Sequence, residues 1–217
     1  MLLNMMYKEE KTMAFFDMLK NKAAQAAQVA GAKAVNNLGQ SAKQDISNVG
    51  NKTYTVILSG IPANLAELQA MPEGTLTQPE HTAALVVAAL CMYPVDKEAS
   101  FEMLNFLHGP RGLTPSDRQF ITDRFRDKDY VPRSYFVGAT PDNNYEPSEP
   151  LTIKFFENPY ARQNIDEGYL TLQVESGGAD SPRQIRLRTK PSTGEWFLWE
   201  QFILSDIRPP VASDPWA

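Results

Sequence analysis

Cysteine and histidine are scarce in this chain. Among 217 residues there is one cysteine, Cys91, and there are two histidines, His81 and His108. An intrachain disulfide is therefore impossible, which fits a protein of a reducing compartment. The histidines lie on different predicted helices and neither has a partner at the spacing that zinc sites use, so we predict no metal and no cofactor. Cys91 lies in an apolar segment, which is typical of a buried and inert thiol.

The motifs of several common enzyme classes are also absent. The chain has no G-x-S-x-G, no P-loop and no G-x-G-x-x-G, the patterns that position a serine nucleophile or surround a phosphate with backbone amides. Aspartate and glutamate are plentiful, but no spacing distinguishes one pair for acid–base chemistry. We therefore predict no catalytic residue and favour a protein that is not an enzyme.

Positive charge and long apolar runs are limited as well. The net charge is −5, from 21 Lys and Arg against 26 Asp and Glu, which argues against a partner held by phosphate neutralisation, so we predict no nucleic acid. No apolar run reaches the length of a membrane-spanning helix. The first residues, MLLNMMYKEEKT, lack the pattern of a signal peptide. We expect a cytoplasmic protein.

The chain divides into three predicted regions. Residues 1–12 are interpreted as a leader, because codons for Lys8 to Glu10 can contain a bacterial ribosome-binding sequence upstream of Met13. Residues 13–50 are interpreted as an amphipathic helix followed by a polar linker. Residues 51–217 are interpreted as a single α+β domain.

The predicted N-terminal helix covers about residues 13–38. Its apolar face is mostly alanine, and its strongest apolar anchor includes Phe15, Phe16 and Leu19. Such a helix suits a weak, peripheral contact with a membrane surface or a partner. The alternative is a tail that packs on its own domain, pairs with a second copy or remains partly unfolded.

The rest of the chain predicts helices first and strands later. After a strand over 53–59 come helices with candidate N-caps at Asn64, Thr77, Asp96 and Thr114. Alternating apolar residues then predict strands over 151–157, 168–175, 183–190 and 195–204, joined by short turns. We predict an α+β fold, with three to four helices on one face of a mostly antiparallel sheet of about five strands.

Two segments lead to detailed packing predictions. In EWFLWEQFIL, Glu195 to Leu204, apolar residues occupy both faces of an extended chain. This pattern predicts either a central strand covered on both sides or the place where the sheet meets its helices. In the helix that begins near Thr114, we expect Phe120, Ile121 and Phe125 to face the core.

Two further features suggest binding. The loop over 128–150 carries four aromatic residues that should hold it against the domain, and it includes Tyr135, Asn144 and Tyr145. Arg186, Arg188 and Lys190 alternate with apolar residues, so they should share the outer face of a strand and meet a carboxylate, a phosphate or an acidic partner. The alternatives are a series of turns for the loop, and a solvated strand face paired with Glu157 and Glu175 for the basic row.

Three strings carry a resemblance to a known family: PRSYFVGATPDNNYEPSEP, SGGADSPRQIRLRTKPSTGEWFLWEQFILSDIRPP and the ending SDPWA. They resemble an uncharacterised bacterial family from Firmicutes that is described only as a domain of unknown function. The resemblance covers about residues 54–217. It implies a bacterial, cytosolic origin and carries no activity or site residue.

These observations favour a non-enzymatic protein-interaction module. Its partner would be another protein or a second copy, and the N-terminal helix would act as a tether or self-association element. The alternative is a small-ligand-binding protein or an enzyme. Its site would lie between the 128–150 loop and the sheet and would use Tyr135, Asn144, Tyr145 and Arg186.

Overall fold

The computed structural model describes residues 52–213. The predicted leader and the predicted helix with Phe15, Phe16 and Leu19 lie outside the described residues.

The sheet is a five-stranded antiparallel meander. Its strands are β1 (Thr53–Ile57), β2 (Thr152–Phe156), β3 (Tyr169–Val174), β4 (Arg183–Lys190) and β5 (Glu195–Gln201). They lie side by side in the order β1-β2-β3-β4-β5, and each neighbouring pair is antiparallel. Short connections explain why β2 to β5 follow one another, whereas all four helices lie between β1 and β2. The predicted α+β fold is confirmed.

Within the described residues there are four α-helices: α1 (Leu65–Ala70), α2 (Pro79–Cys91), α3 (Lys97–Leu107) and α4 (Pro115–Arg124). The side chains of Asn64, Asp96 and Thr114 cap α1, α3 and α4 as predicted. The predicted cap at Thr77 is wrong, because Gln78 precedes α2 and makes no side-chain capping bond. Pro79 opens that helix instead, with a preset φ and no amide donor that needs a partner.

Helix α2 lies at the centre of the core. Every residue from Thr82 to Leu90 is buried, since this helix is apolar around its whole circumference. It contacts α3 on one side and strands β1, β3, β4 and β5 on the other. The inner face of the sheet meets it with a row of buried side chains: Val56, Ile153, Phe155, Leu170, Leu172, Ile185, Leu187 and Leu198.

The segment over 128–150 is a folded connection, as its aromatic residues indicated. It contains two 3-10 turns, Pro132–Tyr135 and Pro141–Asn143, and Phe136 forms an isolated bridge with Ile153 of β2. Its four aromatic side chains are all buried: Tyr130, Tyr135, Phe136 and Tyr145. Burial of aromatic rings therefore fixes a segment that has few regular backbone hydrogen bonds of its own.

The structure corrects two packing predictions. Strand β5 is an edge strand, not a central one, because β4 is its only neighbour in the sheet. It ends at Gln201, and Phe202 beyond it is 53% exposed. A β-bulge leaves Trp199 without a partner in the register. Phe120 is also 43% exposed, whereas Ile121 and Phe125 are buried as predicted.

Candidate functional site

Two adjoining clefts run along the outer edge of β5. The basic cleft has a volume of about 260 Å³, and its walls include Arg111, Arg188, Lys190, Phe197 and Trp199. The aromatic cleft has a volume of about 360 Å³, and its walls include Asp117, Phe120, Ile121, Gln201 and Phe202. Both clefts are also lined by His108, Arg111, Leu198 and Trp199, so they form one groove with two chemically different ends.

A glycine brings the wall of the basic cleft close to β5. Helix α3 is followed by a 3-10 turn, Gly109–Arg111, and Gly109 has a φ of 59°. A Cβ atom at this position would overlap the ring of Phe197, so only glycine allows the turn to lie on that ring. The turn then places the Arg111 guanidinium 5.4 Å from the centre of the Trp199 ring.

Arg188 approaches the same indole from the sheet. It lies opposite Phe197 in the register, and its guanidinium carbon is 4.9 Å from the Trp199 ring centre and 5.1 Å from that of Tyr169. Aromatic faces orient a guanidinium without neutralising its charge. Within residues 52–213, neither Arg188 nor Lys190 has a carboxylate within 4.0 Å, so both charges remain available to a ligand.

His108 forms a hydrogen bond with Arg111. Its ring is 7% exposed, and its Nδ1 lies 3.1 Å from the guanidinium of Arg111. Burial, followed by the positive charge of Arg111, lowers the pKa of His108 to about 4, although a hydrogen bond with the Leu198 backbone acts in the opposite direction. The imidazole is therefore neutral at pH 7, and its partners indicate that Nδ1 accepts a hydrogen bond from Arg111.

Asp117 lines the aromatic cleft and lies beside Arg111, which lines both clefts. Its carboxylate accepts hydrogen bonds from the amide and hydroxyl of Thr114, at 2.9 and 2.7 Å, and forms an ion pair with Arg111 at 3.4 Å. Partial burial alone would raise the pKa of Asp117, but the Thr114 bonds and the Arg111 charge together lower it. This carboxylate is ionised and engaged in capping α4, so it offsets part of the Arg111 charge and none of the Arg188 charge.

The aromatic cleft presents two exposed rings. Phe120 is 43% exposed and Phe202 is 53% exposed, and both line this cleft with Ile121. Phe202 follows Phe197 by five residues along an extended chain, a distance of about 16 Å. The groove therefore places cations at one end and exposed aromatic rings at the other, within reach of a single extended segment.

The sequence was compared with protein families, curated proteins and solved structures. One family profile, described as a domain of unknown function (DUF6935), matches residues 60–211. The chain belongs to this DUF6935 family. Neither a curated protein nor a solved structure matches the chain significantly.

Two structural features bear on the nature of the DUF6935 domain. In the part of the chain that the structure describes, no helix is long and apolar enough to cross a lipid bilayer. Over the same residues, no group of three or more His, Cys, Asp or Glu side chains is arranged to hold a metal ion. Cys91 is half-buried at the end of α2, and desolvation raises the pKa of its thiol to about 12, so little reactive thiolate forms at neutral pH.

The three basic residues that alternate along β4 line different clefts, although Arg186 and Arg188 both contact the ring of Tyr169. All three alternate with buried Ile185 and Leu187, but only Arg188 and Lys190 line the basic cleft. Arg186 lines a neighbouring shallow cleft on the outer face of the sheet. There it lies 4.5 Å from the Tyr169 ring and 3.5 Å from Glu200. The carboxylates opposite this row on β5 are thus Glu200, across from Arg186, and Glu195, across from Lys190, and not Glu157 or Glu175.

Tyr135, Asn144 and Tyr145, the loop residues predicted to form a site with Arg186, contribute to the folding of the loop. Tyr135 is 2% exposed and donates a 2.6 Å hydrogen bond to the carbonyl of Ile203. Tyr145 is fully buried and donates a 2.5 Å bond to the carbonyl of Arg208. Asn144 is exposed, with a φ of 56° in a turn. None of these three residues lines the groove along β5, and both tyrosine hydroxyls already have acceptors.

Sequence reasoning missed most of the groove. Trp199 and Phe202 were assigned to a buried central strand and Phe120 to the core, so they were not considered for binding. Arg111 lies in a short turn with no recognisable motif. The sequence His108-Gly109-Pro110 does predict that α3 ends there and that a turn follows. It does not indicate which residues the turn contacts.

Proposed function

We propose that this chain is a non-enzymatic protein-interaction module that binds an acidic, extended segment of a partner protein in the groove along β5. The acidic residues of that segment would occupy the basic cleft, and an apolar residue would occupy the aromatic cleft. The observation that carries the proposal is the position of Arg188 against the Trp199 indole, in a cleft that Lys190 also lines. Neither cation has an ion pair among residues 52–213.

The charges of the groove favour a carboxylate ligand. Arg111, Arg188 and Lys190 line the basic cleft, and no Asp or Glu does. A guanidinium whose face rests on an aromatic ring keeps its N–H donors free at the edge of its own plane, where they match a carboxylate. The net charge of −5 means that this cleft is a local exception on an acidic protein, which favours a short acidic partner over a long polyanion.

The shape of the groove favours a peptide over a compact ligand. The two clefts are continuous, and an extended segment of about five residues would span the roughly 16 Å from the basic to the aromatic end. Exposed Phe120 and Phe202 offer apolar surface that a purely ionic ligand would not use.

The titratable groups of the groove favour binding over catalysis. His108 has its ring engaged by Arg111 and the Leu198 backbone. Asp117 is engaged by Thr114 and Arg111. Groups held in this way position the wall of the groove and are poorly placed to exchange protons with a ligand.

Fluorescence anisotropy with labelled peptides tests the proposal. The probe is an extended peptide of sequence Asp-Glu-Asp-Leu-Phe, and its control has Lys in place of each acidic residue. We expect the acidic peptide to bind the full chain and Arg188→Glu to weaken binding by about tenfold or more, which corresponds to about 1.4 kcal/mol. Arg126→Glu is the matched control, because the Arg126 side chain is 78% exposed and, among residues 52–213, pairs only with Asp123.

Equal affinity for the acidic and basic peptides would overturn the proposal. An equal effect of Arg188→Glu and Arg126→Glu would also overturn it, because long-range charge would then explain the binding. Binding of a free dicarboxylate as tightly as the peptide would instead support the alternative of a small-ligand-binding protein.

The role of residues 13–50 is part of the same proposal. We propose that they tether a cytoplasmic bacterial protein to a partner, to a second copy or, weakly, to a membrane surface through Phe15, Phe16 and Leu19. Pull-down and liposome co-sedimentation should then differ between the full chain and a chain without residues 13–50. Identical behaviour of the two proteins would exclude the tether.

A further inference from the structure

The two edge strands of the sheet, β5 and β1, differ in whether their outward backbone groups are hydrogen-bonded. On β5, the amide of Trp196 donates to the carbonyl of Leu76 at 2.8 Å, and the carbonyl of Trp196 accepts from the hydroxyl of Thr82 at 2.9 Å. The backbone of Leu198 bonds with the ring of His108. These contacts engage outward backbone groups of β5 at Trp196 and Leu198, so another strand cannot pair along this part of the edge without displacing them.

At the opposite edge, on strand β1, the outward backbone groups of Thr55 and Ile57 lack hydrogen bonds of this kind within residues 52–213. The amide of Leu58 bonds to Leu151 and the carbonyl of Lys52 bonds to Glu157, both at 2.9 Å. Even-numbered residues of β1 therefore direct their backbone groups toward β2, and Thr55 and Ile57 direct theirs away from the sheet. Among residues 52–213, no backbone or side-chain group bonds to the outward amides and carbonyls of Thr55 and Ile57.

The sequence of β1 also lacks the features that discourage strand pairing. Thr53–Ile57 reads TYTVI and contains no charge, no proline and no bulge. Ile57 is 56% exposed on the outer face of the sheet. An uncharged edge rich in β-branched residues is a favourable template for another strand.

We propose that a second copy of this chain adds to β1, so that two sheets join into one continuous antiparallel sheet. The two-fold axis would pass through Val56, and Thr55 would lie opposite Ile57 of the partner subunit. In this register the outward amide and carbonyl of Thr55 face the outward carbonyl and amide of the partner's Ile57, as a hydrogen-bonded antiparallel pair requires. The exposed side chain of Ile57 then packs on the partner's Thr55.

Charge does not oppose this pairing. The nearest cation on the outer face is Lys154, which lies opposite Thr55 in the register of β1 and β2. Across the two-fold axis, the two copies of Lys154 would be three strand spacings apart, about 14 Å. This separation exceeds the Debye length of about 8 Å at physiological salt, so their repulsion is largely screened.

The interface consists of one short strand from each copy, so the association should be weak and depend on concentration. Sedimentation velocity of the full chain from micromolar to near-millimolar concentration measures it. We expect a dimer that dissociates on dilution and that Ile57→Lys abolishes. Val95→Lys is the matched control, because Val95 is 77% exposed away from the sheet, and this variant should dimerise like the unmodified chain.

Thr55→Pro tests the backbone contribution. Proline there removes one outward amide and no bond to β2, so we expect weaker dimerisation with a circular dichroism spectrum like that of the unmodified chain. A chain that is monomeric at all concentrations would overturn the proposal, as would a dimer that is unaffected by Ile57→Lys and Thr55→Pro. A dimer lost equally in Val95→Lys would overturn it too. Acidic-peptide binding should persist in Ile57→Lys, because β1 lies at the opposite edge from the groove.

Discussion

The hydroxyl of Thr82 donates a 2.9 Å hydrogen bond to the main-chain carbonyl of Trp196. This bond joins the central helix α2 to the edge strand β5, which carries one wall of the groove. Thr82 is fully buried, so water cannot replace the hydroxyl as a donor. The contact explains why a polar residue lies in the fully buried part of α2, Thr82 to Leu90.

Thr82→Val should therefore destabilise the fold although it changes the side-chain volume very little. The Trp196 carbonyl would lose a donor, and an unsatisfied buried acceptor costs about 1–3 kcal/mol. Urea denaturation should show this loss in the free energy of unfolding. Thr171→Val is the control, because Thr171 lies on β3 and its hydroxyl makes no hydrogen bond within residues 52–213. An equal loss in both variants would contradict this account of Thr82.

Gly109 offers a second test of how the groove is built. Gly109→Ala should lower stability by about 2–4 kcal/mol, because alanine is strained at a φ of 59° and its Cβ would overlap the Phe197 ring. Gly194→Ala shares the positive φ, 75°, but meets no atom within 4 Å, so it should cost about 1 kcal/mol. Thermal denaturation of both variants measures the difference, and equal losses would mean that Phe197 is free to move away.

The position of β5 shows what sequence patterns can and cannot predict. Its alternation correctly places Leu198 on the core face, and the alternation of Leu170, Leu172, Ile185 and Leu187 correctly predicts the inner face of β3 and β4. The apolar outer face was taken to require a second covering layer. In the structure Trp199 is instead covered by two arginine side chains, whose stems and guanidinium faces shield a ring as another apolar layer would.

The candidate site was less predictable than the fold, because it depends on contacts between distant segments. Arg188 and Lys190 were identified from strand alternation, a local rule. Arg111 joins them only because a glycine turn after α3 lies on Phe197, and no local pattern encodes that approach. The hydroxyl acceptors of Tyr135 and Tyr145 lie 68 and 63 residues along the chain, so their structural roles were also hidden from the sequence.

Tyr135→Phe separates a structural role from a role in binding. Removing the hydroxyl leaves the carbonyl of fully buried Ile203 without its donor, which should cost about 1–3 kcal/mol in denaturation experiments. Affinity for the acidic peptide should not change, since Tyr135 does not line the groove. Tyr160→Phe is a suitable comparison, because Tyr160 is 74% exposed and should affect stability little. Reduced peptide affinity in Tyr135→Phe alone would restore the loop as a binding site.

Glu157 is a buried carboxylate whose loss should be costly. Its side chain is 1% exposed and accepts hydrogen bonds of 2.6 and 2.7 Å from Arg162 and a further bond from the Tyr54 hydroxyl. Glu157→Gln keeps the shape but removes the charge, so we expect a loss of about 2–3 kcal/mol in the free energy of unfolding. Glu175→Gln, at an exposed position, should have almost no effect. Comparable losses in the two variants would show that the Arg162 contact contributes little.

The lowered pKa of His108 predicts how the stability of the fold depends on pH. Its pKa is about 4 in the folded protein against an ordinary value of 6.5, so the unfolded chain binds a proton more readily between these values. The free energy of unfolding is therefore unaffected by His108 above about pH 6.5, and it decreases as the pH falls toward 4, because proton uptake by His108 favours the unfolded chain.

This difference corresponds to a loss of about 2 kcal/mol between pH 7 and pH 5. Urea denaturation across this range measures it, and His108→Gln should show a much smaller change, because glutamine does not take up a proton. The lowered pKa values of Asp117 and Glu157 affect stability only at lower pH, since carboxylates lose their charge below about pH 4. Parallel pH profiles for the two proteins would show that the His108 ring is accessible to solvent and that Arg111 is held by other contacts.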